Sequence, residues 1–127
     1  MKVLSQALAI GAAGFVGALT RWGVASLFGR LLPVRFPVGT FFINITGSFF
    51  LGWFLTFVSV RYPVSDTMRL AIATGFVGAY TTFSTFMYES ARLGDDGAGL
   101  EAIANLVGSL VVGLIAVKLG MFLARRT

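Results

Sequence analysis

Cysteine and histidine are both absent from this chain of 127 residues. Without cysteine there is no disulfide framework and no thiolate site, so cysteine usage carries no information about the cellular compartment. Without histidine the chain lacks the commonest metal ligand and the commonest general base. No nucleophile–base pair, metal-ligand cluster or nucleotide-binding motif stands out either. The sequence therefore predicts a protein that is not an enzyme.

Charge is equally scarce, because only 12% of the residues are charged whereas 57% are hydrophobic. The mean hydropathy is +0.88. A single domain of this size cannot hide so much apolar surface from water. The net charge of +5 comes from ten basic and five acidic residues. In so apolar a chain we interpret this charge as loop charge that faces anionic lipid headgroups, and we expect no nucleic-acid partner.

Apolar spans cover about residues 3–28, 38–60, 70–88 and 100–124. Each is close to the roughly 20 residues that a helix needs to cross a bilayer. Charges and helix breakers gather between the spans. The pattern predicts one all-α integral membrane domain, residues 1–127, with four transmembrane helices. The first span also has the shape of a signal peptide, but it is long for one, and its removal would leave an odd number of helices.

The basic residues are distributed almost evenly between the two sides of the membrane. With four spans, the side that holds both termini carries Lys2, Arg61, Arg69, Arg125 and Arg126, with Lys118 near it. The other side carries Arg30, Arg35 and Arg92, with Arg21 close to it. This difference is a weak orienting signal. It fits insertion in both orientations and also fits one orientation with a modest preference.

Polar residues lie inside the second and third spans. Asn44 is the seventh residue of the second span, where an amide is costly unless it is paired or faces water. It therefore forms either an interhelical hydrogen bond or part of a polar pathway. In the third span, the hydroxyl residues Thr81, Thr82, Ser84 and Thr85 follow two glycines. This segment predicts a broken helix, which survives in a membrane only where protein or a polar cavity satisfies the backbone.

The chemistry of these groups favours an anion. Hydroxyls, an amide and the positive edges of aromatic rings are all neutral donors, and Phe83 and Phe86 share one helical face. Neutral donors can replace hydration and still allow an ion to leave, and no Lys or Arg lies at the centre of spans two or three. Two phenylalanines at this spacing also fit an ordinary helix interface.

Four segments resemble the Fluc (CrcB-type) fluoride channels of bacteria: "GALTRW" (17–22), "GTFFINITGSFFLG" (39–52), "TGFVGAYTTFSTFMYE" (74–89) and "NLVGSL" (105–110). The resemblance covers nearly the whole chain. It implies an antiparallel, dual-topology homodimer with two pores in the bacterial inner membrane. Such a channel exports fluoride passively down its electrochemical gradient and so reduces cytoplasmic fluoride toxicity.

The resemblance also implies roles for particular residues. The fluoride pathway would include Asn44, Phe83, Phe86, Thr82, Thr85, Ser109 and Arg21, with Glu89 just after the motif. A sodium ion at the dimer axis would be held by the main-chain carbonyls of Gly78 and Thr81. Many members have a second glycine where this chain has Ala79. The pattern is loosest in the fourth helix, which carries Asn105 and Ser109.

Two other functions fit parts of the sequence. A small proton-coupled multidrug transporter also has four spans, but its chemistry needs a carboxylate within the first helix, and the first span here has none. A structural subunit of a larger membrane complex would explain the apolar spans. It would not explain the hydroxyl residues clustered after Gly78.

Overall fold

The computed structural model describes all 127 residues, and every regular element is helical. The elements are α1 (Lys2–Leu31), α2 (Val38–Val60), α3 (Asp66–Leu70), a π-helical segment (Ala71–Val77), α4 (Gly78–Tyr80), α5 (Phe83–Asp95) and α6 (Gly99–Arg126). The elements from α3 to α5 form one long third span, Asp66–Asp95. This span, α1, α2 and α6 are each long and apolar enough to cross a membrane. The predicted all-α architecture with an interrupted third span is therefore confirmed.

Short connections place successive spans side by side. The segment between α1 and α2 contains Pro33 and Pro37, and Pro63 follows α2; proline cannot continue a helix without losing a backbone hydrogen bond. Ser65 caps α3, because its side chain accepts a hydrogen bond from the Met68 N–H at 3.2 Å. Gly97, with φ +80°, makes the tight turn between α5 and α6. These turns allow the third and fourth spans to pack directly on each other.

Small residues decide how closely the helices approach. The α1 helix packs against the π-helical segment, and α2 packs along α6. A Cβ atom added at Gly75 would lie 2.6 Å from the Ile10 carbonyl oxygen, and one at Gly52 would lie 2.5 Å from that of Val117. Gly108, in contrast, has no atom within 4 Å of such a Cβ. Some glycines therefore lie at close contacts between helices, whereas others contact no other part of the chain.

Most large apolar side chains point away from the chain. Only 20 of 127 residues are buried, and exposed apolar residues run along α1 and α6, among them Leu8, Phe15, Leu110, Leu114 and Ile115. Such surface is far beyond what a water-soluble monomer carries. Several polar side chains of the second and third spans, by comparison, pair with another helix: Thr40 with Glu89, Asn44 with Thr82 and Thr46 with Tyr80, whereas Ser84 is exposed. The fold therefore turns apolar surface outward and pairs part of its polar groups between helices.

Candidate functional site

The site is built around the interruption of the third span. Thr81 (φ −82°, ψ 157°) and Thr82 (φ −149°, ψ 118°) are both extended. Thr82 then caps α5, because its hydroxyl oxygen accepts a hydrogen bond from the Thr85 N–H at 3.3 Å. The hydroxyl of Thr81 donates to the Val77 carbonyl at 2.8 Å. Two of the clustered hydroxyls thus satisfy backbone groups at the break.

Asn44 holds the broken backbone from the neighbouring helix. Its side-chain Nδ2 donates to the Thr82 carbonyl at 2.9 Å, and its Oδ1 accepts from the Thr82 N–H at 2.8 Å. A backbone residue that has left its helix would otherwise carry two unsatisfied polar groups at membrane depth. The amide therefore makes the interhelical pairing that one of the two sequence-based interpretations proposed. Its Nδ2 also carries a second hydrogen, which has no acceptor within the chain.

A small cavity of about 220 Å³ opens at this point. Its lining includes Asn44, Ser48, Thr82, Phe83 and Phe86 and contains no charged side chain. Ser48 makes no side-chain hydrogen bond within the chain, so its hydroxyl is free to donate, as is the second N–H of Asn44. Ser48 was not among the pathway residues predicted from the sequence. Its position four residues after Asn44, on the same face of α2, was the signal that could have found it.

Phe83 and Phe86 meet edge to face at the mouth of this cavity. Their ring centroids are 6.2 Å apart and their planes are inclined by 67°. The edge of one ring, which carries positive charge, therefore faces the other ring, and both residues line the cavity. Phe86 is 8% exposed, but Phe83 is 74% exposed. One chain therefore supports only one of the two rings.

A larger cavity of about 570 Å³ lies between the end of α1, the start of α2 and one face of α5. It is lined in part by Arg35, Thr40, Thr85, Glu89 and Arg92. The hydroxyl of Thr85 is not used as a donor within the chain. Sequence reasoning counted the two arginines only as loop charge. The 29–37 and 92–99 segments were predicted to lie on the same side of the membrane. That prediction already indicated that Arg35 and Arg92 could lie close together.

Glu89 and Asp96 are the two carboxylates that line this cavity, and Glu89 is the one that is bound to α2. The Thr40 hydroxyl donates to its Oε1 at 2.9 Å, whereas its Oε2 is buried and has no partner within the chain. The pairing ties α2 to α5 at a second point, one helical turn beyond Thr85. It also leaves the second carboxylate oxygen of Glu89 buried and unpaired.

The remaining residues singled out from the sequence lie elsewhere. Ser109 lines neither cavity; its hydroxyl donates to Asn105 Oδ1 at 3.2 Å. Arg21 is half-buried on α1 and lines neither cavity. The structure thus brings Asn44, Thr82, Phe83 and Phe86 together, places Thr85 in the adjoining cavity, and sets Ser109 and Arg21 apart from both.

The break also exposes main-chain oxygens. In a regular helix the Gly78 carbonyl would accept from the Thr82 N–H, but that N–H donates to Asn44 Oδ1 instead. The Thr81 carbonyl also accepts no backbone hydrogen bond. Gly78 is exposed on the chain surface. No group of acidic side chains in the chain could hold a metal ion. Carbonyl oxygens are hard ligands, and a small cation would suit them.

Comparisons with known proteins show the family of this chain. A family model described as "CrcB-like protein, Camphor Resistance (CrcB)" matches residues 8–121. A protein of Acidobacterium capsulatum named "Fluoride-specific ion channel FluC" is 45% identical over 126 residues, which cover 99% of this chain and 98% of the relative. A protein of Chloroflexus aurantiacus with the same name is 44% identical over 119 residues, 94% of this chain and 93% of the relative. Both cavities lie within the matched residues.

Proposed function

This chain belongs to the CrcB-like family, and from that membership we propose that it is a fluoride channel that lets the ion leave the cell down its electrochemical gradient. The observation that carries the proposal is the small cavity with its uncharged lining. The protein is a multi-pass membrane protein of the ion-channel class, and the proposed location is the bacterial inner membrane. Export by this route would reduce fluoride toxicity in the cytoplasm.

The chemistry of the small cavity suits a small anion. Fluoride gives up water only if other donors replace it, and the free N–H of Asn44, the Ser48 hydroxyl and the ring edges of Phe83 and Phe86 are such donors. None of them carries a full charge, so the anion is attracted without being trapped. Thr85 continues the donors into the larger cavity, which is lined by Arg35 and Arg92 together with the carboxylates of Glu89 and Asp96.

We expect purified protein in liposomes to release fluoride without an energy source. Passive movement of an anion is electrogenic, so efflux should begin only when a potassium ionophore supplies the compensating charge. Chloride, which is larger, should move at least roughly a hundredfold more slowly, a difference of about 2.7 kcal/mol. A fluoride electrode and a chloride electrode on the same vesicles make the measurement. Dependence on a proton gradient would instead favour the multidrug-transporter alternative, and comparable chloride flux would contradict the proposal.

The pathway is completed, in this proposal, by a second copy of the chain in antiparallel orientation. Phe83 lies beside the cavity yet is 74% exposed, which supports a partner that covers it. The nearly even distribution of basic residues permits insertion both ways round. Because a twofold axis brings the same surface of both copies together, one exposed ring on each chain is enough to complete two pathways.

Dual topology can be measured directly because the chain has no cysteine. In a Thr127→Cys variant, a membrane-impermeant maleimide applied to intact cells should label only part of the protein, since the C-terminus would face each side in different copies. An Asp95→Cys variant, at the opposite end of the bundle, should be labelled to a similar extent. Complete labelling of one variant and none of the other would show a single orientation.

The free carbonyls of Gly78 and Thr81 would hold a sodium ion between the two copies. The ion would supply positive charge that joins four carbonyl oxygens, two from each chain. The purified dimer should then unfold at a higher temperature in sodium chloride than in a chloride salt whose cation is large and organic. The reason is that a ligand that binds only the native state stabilises that state. Equal unfolding temperatures in the two salts, or a water molecule at this position in a high-resolution map, would count against the cation.

A further inference from the structure

Asn105 is the most deeply buried polar residue of the fourth span. Its side chain is 1% exposed and lies in α6 where this helix packs on α5. An unpaired amide at this depth would be costly, and intramembrane polar residues commonly mark function. Asn105 lines neither of the two cavities. Its role must therefore be sought in the groups that it contacts.

A directed chain of hydrogen bonds runs through this amide. The Ser109 hydroxyl donates to Asn105 Oδ1 at 3.2 Å, and Asn105 Nδ2 donates to Ser90 Oγ at 2.9 Å. The Ser90 hydroxyl then donates to the Phe86 carbonyl at 2.8 Å. Each hydroxyl proton in the chain is committed to the next group. The chain ends on the backbone of the residue whose ring lines the small cavity.

We propose that Asn105 is a positioning residue that holds the Phe86 ring at the cavity, and that Ser109 acts through Asn105 without touching the anion. The inference rests on the proposed fluoride channel and names how one part of its pathway is held. A serine bonded to the carbonyl four residues earlier can bend its helix. Asn105, by holding Ser90 in that bond, sets the direction of the helical turn that carries Phe86.

The other face of the same turn is held as well. Glu89 is bound by Thr40 of α2, while Ser90 is bound by Asn105 of α6. The turn between Phe86 and Ser90 is therefore fixed from two neighbouring helices, and Phe86 is buried within its own chain. Phe83 lies one turn earlier and has no such support. The two rings thus differ in support, because the turn that carries Phe86 is bonded to α6 through Ser90 and Asn105.

The test uses fluoride efflux from liposomes together with ¹⁹F NMR of 4-fluorophenylalanine placed at position 86. Ser90→Ala removes one hydroxyl and Asn105→Leu removes the amide at similar volume. Each should reduce efflux roughly tenfold, as expected for one well-placed hydrogen bond, and should shift or broaden the ¹⁹F resonance. The double variant should be no worse than the more affected single variant. Ser5→Ala removes a hydroxyl that is bonded only to Lys2 of its own helix and should resemble the parent in both measurements.

Ser109→Ala separates the two roles of Ser109. If it acts through Asn105, its effect on efflux should disappear in the Asn105→Leu background. A full effect of Ser109→Ala in both backgrounds would show direct contact with the anion and overturn that part of the proposal. If Ser90→Ala shows the efflux of the parent and an unchanged ¹⁹F resonance, the positioning role is overturned. This result decides the question even if Asn105→Leu fails to fold. The resonance reports ring position even if the protein does not conduct fluoride, so the two proposals can fail separately.

Discussion

Asn44→Asp should abolish fluoride conduction while the protein still assembles. The change removes the Nδ2 donor, so the Thr82 carbonyl loses its bond and the cavity loses its free N–H. It also introduces an anionic group beside the path of an anion. Two like charges about 4 Å apart repel each other by about 4 kcal/mol at an effective dielectric constant of 20. Efflux from liposomes should therefore fall by at least roughly a hundredfold.

The control for this variant is Thr56→Val, a change on the same helix at a residue that lines neither cavity. It should conduct like the parent. Phe83→Ile and Phe86→Ile examine the ring edges, because isoleucine keeps apolar bulk but lacks a positive edge. Size-exclusion chromatography should show the same assembly as the parent for each. If all three site variants assemble normally and conduct like the parent, these residues do not line the pathway.

Gly120→Ala should destabilise the whole bundle by adding a single methyl group. A Cβ atom at this position would collide with the Phe49 carbonyl oxygen and lie 2.8 Å from the Trp53 backbone nitrogen. Both are backbone atoms of α2 and cannot rotate away, so α2 and α6 would have to separate. Overpacking of this kind costs about 1–3 kcal/mol. The measurement is thermal unfolding in detergent, with chromatography to detect aggregation.

Gly108→Ala is the matched comparison on the same helix. No atom lies within 4 Å of its added Cβ, and alanine favours a helix over glycine by roughly 0.5–1 kcal/mol. This variant should be as stable as the parent or slightly more stable. Equal stability of the Gly120 and Gly108 variants would mean that the close contact between α2 and α6 does not limit packing.

The sequence was sufficient to predict the four membrane-capable helices, because each apolar span is a local property of consecutive residues. The break in the third span was also predictable, since hydroxyl residues and glycines cluster directly around it. Glycine content alone was less informative, because Gly108 meets nothing within the chain whereas Gly120, on the same helix, makes the tightest approach to α2.

What the sequence by itself determined is therefore the membrane class, the number of spans and the chemical type of the donors. The tertiary structure decided which side chains and backbone groups contact each other. It joined Asn44 to a backbone residue 38 positions away, brought Arg35 and Arg92 to one cavity, and linked Asn105 to Phe86 through Ser90. Hydropathy depends on each residue alone, whereas a hydrogen-bond partner depends on the rotation and register of two helices, which packing across the whole bundle sets.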